Sequence, residues 1–396
     1  MPLPLSRPAA PDAARASIVG RAPRRGAYWP SPHQETLLRA ALSDGAAARR
    51  AWELVRPGLD PERADHASQQ ILPLLGANLA RLGVTDPLVN RLATLRERTG
   101  AENRALFAAG RQILLALHAA GVDTLMLKGG ALAVSVYRDI GLRPMGDLDV
   151  LVRTGQARAA VEALAAAGWC GRAAVTPEYI RTQHAADLFA AGDLKCDLHW
   201  HVYWECCGPD ADDELWAASV PLAFAGVDTR TLAVADQLLH VCVHGSRRAR
   251  RPGIRWIADA LAVLRAGGVD WARLLGQAAE RGVVLRAGTM LLYLRDAFAA
   301  PVPDEVVGEL QALPVSWLER VEYRVGNRPQ GLLGELPSYW CNYRRLRRAA
   351  GGSPLGFPRY LQQTWKLGSL GQVVGAALNR AAQRVRTAVF GAPAPE

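Results

Sequence analysis

Apolar residues recur at threes and fours from Gln34 to Gly121, through "ETLLRAALSDGAAARRAWELV", "ASQQILPLLGANLARLG" and "PLVNRLATLRERTGAENRALFAAGRQILLALHAAG". That spacing, punctuated by Pro and Gly, predicts a helical N-terminal region whose last helix ends at Gly121. The period changes at Val122. "DTLMLKGG" is a short apolar run stopped by glycines, "DLDVLV" alternates, "QARAAVEALAAAGW" returns to helical spacing, and "DLKCDLHWHVYW" alternates again. Residues 122–230 therefore read as a mixed α/β domain. Beyond it, "TLAVADQLLHVCVHGSRR", "PGIRWIADALAVLRAGG", "DWARLLGQAAERG" and "VLRAGTMLLYLRDAFAA" resume helical period, giving a helical region over 231–385. Residues 1–31, rich in Pro, Ala and Arg without periodicity, read as a disordered leader, and 386–396 as a disordered tail. No repeat at a solenoid period is visible.

Composition narrows the class only modestly. The 396 residues contain 50% hydrophobic and 21% charged residues, enough for about two or three domains that each bury a core without disulfides. The 47 Lys and Arg against 37 Asp and Glu give a net charge of +10, which favours anionic partners. Six cysteines show no CxxC spacing and no disulfide framework, so a reduced, cytoplasmic setting is expected. No signal peptide and no apolar run of about 18 residues or more is seen, and no membrane span is expected.

The candidate chemistry lies in "LMLKGGALAVSVYRDIGLRPMGDLDVLV", Leu125 to Val152. On a strand, Asp147 and Asp149 share a face, with α-carbons about 6.6 Å apart, while Leu148 and Val150 turn to the core. Paired carboxylates repel, and a hard divalent ion such as Mg²⁺, or Mn²⁺ in its place, resolves the conflict. In "KCDLHWHV", Asp197, His199 and His201 share one face, and Leu198, Trp200 and Val202 the other. If this strand lies beside "DLDVLV", Asp197 becomes a third carboxylate. Three such groups can hold two Mg²⁺ about 3.5 to 4 Å apart for in-line attack on phosphorus. The turn at Gly129-Gly130, running from a strand into a helix, offers backbone amides to phosphate oxygens, with Lys128 adding a charge. Arg143 is a candidate phosphate contact or the partner of a carboxylate. His199 is a candidate hydrogen-bond partner of Asp197 or of the nucleotide.

These residues resemble the uncharacterised nucleotidyltransferase group of the polymerase-beta-like superfamily. In that group a Lys-Gly turn, a "GxRPMxDxDxLV" segment and a later "(D/E)LHW" strand recur. The similarity covers roughly residues 105–265, including "LLHVCVHGSRR" and "GIRWIADALAVL". It implies an α+β fold: a small mixed-sheet, polymerase-beta-like nucleotidyltransferase core flanked by N-terminal and C-terminal helical regions. It also implies Mg²⁺-dependent transfer of NMP from an NTP, ATP being the first candidate, to a hydroxyl or phosphate acceptor. Carried over by position, Gly129 and Gly130 match the glycine turn, Asp147 and Asp149 the metal-binding pair, and Asp197 the third acid. Lys128 before the turn and the long interval from Gly130 to Asp147 depart from the wider superfamily but fit this group.

Other motifs weigh less. HxH at His199 and His201 lacks a compact set of further zinc ligands. His240 and His244 share a helical face, but Val241 stands where a zinc protease carries Glu. Those two, with Asp259, are candidates for a wall of the cleft, whereas Trp256 reads first as core packing. The runs "RRARR" at 247–251 and "RRLRR" at 344–348 read as solvated faces more readily than as a nucleic-acid interface. The acceptor stays open between a small molecule or biosynthetic intermediate and a protein or RNA. A nucleotide-binding module without turnover is the third alternative.

Overall fold

The computed structural model describes residues 28–172, 174–247, 253–327, 334–349 and 356–390. Most of the leader (1–27), four residues of the first arginine run (248–251) and the end of the tail (391–396) lie outside the described residues.

Among the described residues, seven strands form one mixed sheet: β1 (Thr124–Leu127), β2 (Leu148–Val152), β3 (Cys170–Gly171), β4 (Ala185–Phe189), β5 (Lys195–His199), β6 (Val220–Phe224) and β7 (Val227–Thr231). Their order is β3-β4-β5-β2-β1-β7-β6. Central β2 runs antiparallel to β1 and parallel to β5. Antiparallel partners β4 and β6 flank this centre. The β6-β7 turn puts Ala225 and Gly226 at positive φ, the backbone that suits a tight two-residue hairpin.

Each face of the sheet is buried for a different reason. Leu148, Val150 and Val152 of β2 and Leu198 of β5 join Ile113, Leu114, Leu117 and Leu164 in one apolar cluster. Three of these residues come from the 33-residue helix Pro87–Ala119, which begins with Pro87 at its first turn and the Asp86 side chain accepting from the Leu88 amide. The opposite face contributes Leu125, Leu127 and Leu151 to a larger cluster shared with Leu238, Ile257 and Leu291. Leu37, Trp52 and Leu75 of the N-terminal helices belong to that same cluster, so helices from both ends of the chain share one core.

Two terminal boundaries differ from the expected ones. Tyr28 and Trp29, placed in the leader on composition, are buried. The Trp29 ring lies 5.7 Å from that of Trp256 and 5.0 Å from that of Tyr293, and aromatic burial of this size outweighs the local Pro-Arg bias. The helix Gly371–Phe390 likewise continues past residue 385, where the tail was expected to begin. Among the described residues no helix is long and apolar enough to cross a membrane. All six cysteines are unpaired.

A buried ion triad joins the segment after β5 to the helical layer. Glu205 accepts from Arg247 at 3.0 Å and from Arg286 at 2.5 Å. Burial works against ionisation of Glu205, but the two guanidiniums outweigh it and hold the carboxyl well below its ordinary value of 4.5. A depressed carboxyl pKa stabilises the fold fully above the unfolded value and loses that contribution as pH falls below it. Chemical denaturation should therefore show stability declining as pH drops through 4.5 and below, with a shallower decline in Glu205→Gln. An unchanged slope in the variant would assign acid sensitivity elsewhere.

Candidate metal and phosphate site

The strand register builds the site. Parallel pairing sets Asp149 of β2 opposite Asp197 of β5, and antiparallel pairing sets Asp187 of β4 opposite Asp197. Neighbouring strands lie about 4.8 Å apart, so three carboxylates stand in one row across the sheet. The side chains alternate, which puts Asp149, Asp197 and His199 on the face toward the larger helical layer, away from Leu148, Val150 and Leu198. Asp147, one residue before β2, flanks the row.

Two lysines thread these acids. Lys195 Nζ lies 3.1 Å from oxygens of Asp147, Asp187 and Asp197. Lys128 Nζ donates to Asp149 Oδ1 at 2.6 Å. The Lys128 backbone adopts φ 45°, a left-handed value that a residue with a Cβ rarely takes, at the junction of β1 and the short helix Lys128–Leu132. His199 Nε2 sits 3.2 Å from Asp149 Oδ1, so its carboxylate partner is Asp149 rather than the expected Asp197. In a strand, Asp197 is two residues away along the same face, whereas Asp149 lies across the ladder.

Electrostatics separate the acids. Burial opposes ionisation of Asp149, but Lys128 and His199 prevail and hold its carboxyl well below the ordinary range. Asp197 goes the other way. Burial, its hydrogen bond with Asp187 and the Asp149 charge push it up to about 8, while the Asp187 carboxyl is lowered to about 2. The row crowds four carboxylates around three ammonium groups, Lys128, Lys195 and Lys366, the last 3.8 Å from Asp187. Burial and Lys128 lower the His199 pKa, so its ring is neutral and its Nε2 can act as donor or ligand.

The donor set fits a divalent cation. Ligand atoms of Asp149, Asp197 and His199 all lie within 4.8 Å of one another. Hard carboxylate oxygens dominate the row, and their excess over the ammonium groups is negative charge that a cation would relieve.

The glycine turn has a packing requirement of its own. A Cβ on Gly130 would lie 2.9 Å from Met126 Cε and 3.2 Å from Phe224, inside the apolar cluster. On Gly129 it would collide with Arg143 Nη1 and lie 2.8 Å from Met145 Sδ. Both glycines are buried within the helix Lys128–Leu132. Arg143 is itself committed: Nε and Nη2 each donate to Asp259 at 2.9 Å, and Tyr137 Oη donates to the same carboxylate at 2.9 Å. Of the two roles expected for Arg143, the structure forms the carboxylate pairing, and it braces the loop before β2 against the helix Arg255–Ala266.

A cavity of about 210 Å³ opens beside Lys128 between the sheet and the helices Val234–Gly245 and Arg255–Ala266. His240, His244, Trp256 and Asp259 all line it, together with Arg247 and Arg255. His240 is 3% exposed and its Nε2 has no hydrogen-bond partner. His201 is not in the site: the strand ends at His199, both following amides turn to His184 O, and His201 Nδ1 pairs with Asp212 at 3.0 Å. Val202 accordingly packs in the larger cluster, not beside Leu198. The arginine run at 344–348 is not a uniform solvated face, since Arg345 turns inward to Glu322 at 2.5 and 2.6 Å.

Asp187, Lys195 and His184 were not singled out from the sequence. Lys195 was legible, being two residues before Asp197 on the alternating strand. Asp187 and His184 carry no spacing signal, because only antiparallel pairing of β4 with β5 brings them in.

A mixed α+β fold with an acidic row interleaved with lysines defines a protein with a candidate divalent-cation site. A family model described as uncharacterised nucleotidyltransferase matches residues 66–299, more than half of the chain. The protein belongs to that family of uncharacterised nucleotidyltransferases. No curated protein matches the chain.

Proposed function

We propose that the protein is a Mg²⁺-dependent nucleotidyltransferase with a polymerase-beta-like core, transferring NMP from an NTP, with ATP the first candidate, to an acceptor hydroxyl. The observation that carries this reading is the convergence of Asp149, Asp197 and His199 ligand atoms within 4.8 Å, in a chain of nucleotidyltransferase family. Asp147, Asp149 and Asp197 would hold the metal, which when bound supplies charge to the phosphate oxygens and to the attacking oxygen.

The chain's own residues set the rest. Lys128 orients Asp149 and keeps a positive charge beside the place the triphosphate would take, with Gly129 and Gly130 fixing the turn that presents it. Asp197, beside Asp149 in the row, would take the proton of the attacking hydroxyl in its ionised form. The new bond joins acceptor oxygen to the α-phosphorus, the bond from that phosphorus to the bridging oxygen breaks, and pyrophosphate leaves. His199 would contact the metal or the nucleotide, and Lys195 keeps Asp147 and Asp197 in register.

Thermal stability measured with each NTP, alone and with Mg²⁺, tests the reading. The expected result is an upward shift that requires nucleotide and metal together. Absence of any joint shift across the four NTPs, with Mg²⁺ or Mn²⁺, would overturn it.

A further inference from the structure

A second cavity, about 230 Å³, is bounded by His184, Trp204, Arg247, Ser338, Tyr339 and Asn342. Two of these residues connect it to the site. The His184 ring stands 5.4 Å from the His199 ring in an edge-on contact, and His199 touches Asp149. Arg247 lines both this cavity and the one beside Lys128. The two cavities therefore form lobes that share Arg247, and the second is linked to the acid row through the His184–His199 contact.

The lobes differ in charge. Lys128, Arg143, Arg247 and Arg255 face the first lobe against one acid, Asp259, a balance that suits the anionic triphosphate. The second lobe carries Glu205, Glu322 and Glu335 against Arg247 and Arg286. Its acids are already engaged: Glu205 by the two arginines, Glu322 by Arg345, and Glu335 by the Tyr339 hydroxyl at 2.8 Å. With no surplus positive charge, this lobe is a poor place for a second phosphate-rich ligand.

Its unmet groups point to a polar, uncharged occupant. Arg247 Nε and His184 Nδ1 are buried and have no hydrogen-bond partner. Buried polar atoms left unpaired are costly, and hydroxyls, which both donate and accept, can complete either. Ser338 and Asn342 add polar contacts from the helix Leu336–Ala349, while Trp204 and Tyr339, edge-on at 6.0 Å, supply an aromatic wall for carbon-bound hydrogens. That combination suits a ring or chain bearing many hydroxyls.

We infer that the second lobe binds the acceptor, a small neutral hydroxyl-rich molecule of the sugar or polyol class, with one hydroxyl directed past His184 toward the acid row. The inference rests on the nucleotidyltransferase reading and narrows its acceptor. It assigns the two cavities to the two substrates, with His184 linking the second to the acid row.

Saturation-transfer NMR on the full-length protein tests it, with D-glucose, myo-inositol, D-sorbitol and glycerol as probes and ATP with Mg²⁺ titrated separately. Ser338→Phe fills the lobe from its helix side, and Ser338→Ala controls for loss of the hydroxyl; circular dichroism confirms that both fold. At least one probe should bind the wild type, lose about tenfold or more in affinity in Ser338→Phe, and be largely kept in Ser338→Ala. ATP binding should be the same in all three proteins. Failure of every probe to bind the wild type, or equal binding to Ser338→Phe, would overturn the inference. If a probe binds as expected but ATP does not bind even the wild type, the nucleotidyltransferase reading fails and the acceptor role with it, while the lobe's ligand class stands.

Discussion

Asp149→Asn should reduce metal-dependent pyrophosphate release from NTP by about a thousandfold or more, the scale on which removing a preorganised charge from a dry site acts. Asp149 is the most buried acid of the row, 3% exposed, and the only one that meets both Lys128 and His199. Asparagine keeps the shape and leaves an oxygen for the Lys128 ammonium, so the fold should lose only about 1 to 3 kcal/mol. A coupled pyrophosphate assay set beside a denaturation curve separates the two effects. Near-normal turnover in Asp149→Asn and in Asp147→Asn would remove the acids from the reaction. Loss of turnover matched by loss of folded protein would make Asp149 a structural residue.

Asp259→Ala should produce the largest loss of stability, about 3 to 5 kcal/mol, because it strands a buried guanidinium. Arg143 is 4% exposed and both donors of its fork end on Asp259. Replacing both residues with leucine should recover a substantial part of that loss, since a buried ion pair gives little net stability over packed apolar groups. Urea denaturation of the single and double variants measures this directly. Were Arg143 chiefly a phosphate contact, Asp259→Ala would leave stability nearly unchanged and alter nucleotide affinity instead. The brace also explains why Gly129 cannot carry a side chain: the Arg143 fork lies over it.

The chain's periodicity was enough to locate the change from helical to mixed α/β structure near Val122, because amphipathic spacing is a local property. It was likewise enough to single out Asp147, Asp149 and Asp197, since alternation alone puts same-face acids on two strands. The glycines show where local reading stops. A Gly-Gly turn after a strand looks the same whether bare backbone is needed for a phosphate or for a crowded neighbour, and here Phe224, Met126 and Met145 supply the crowding.

The sequence by itself determined the class of structure, the two acid-bearing strands and the family resemblance, all of which depend on residues near one another along the chain. Only the tertiary structure decided the pairings. It set Asp197 beside Asp149 and brought in Asp187 from a strand with no signal of its own. It also gave Arg143 to Asp259, 116 residues away, and His199 to Asp149. These contacts depend on strand register and on helix packing against the sheet, and both are set by the whole core rather than by any short stretch of chain.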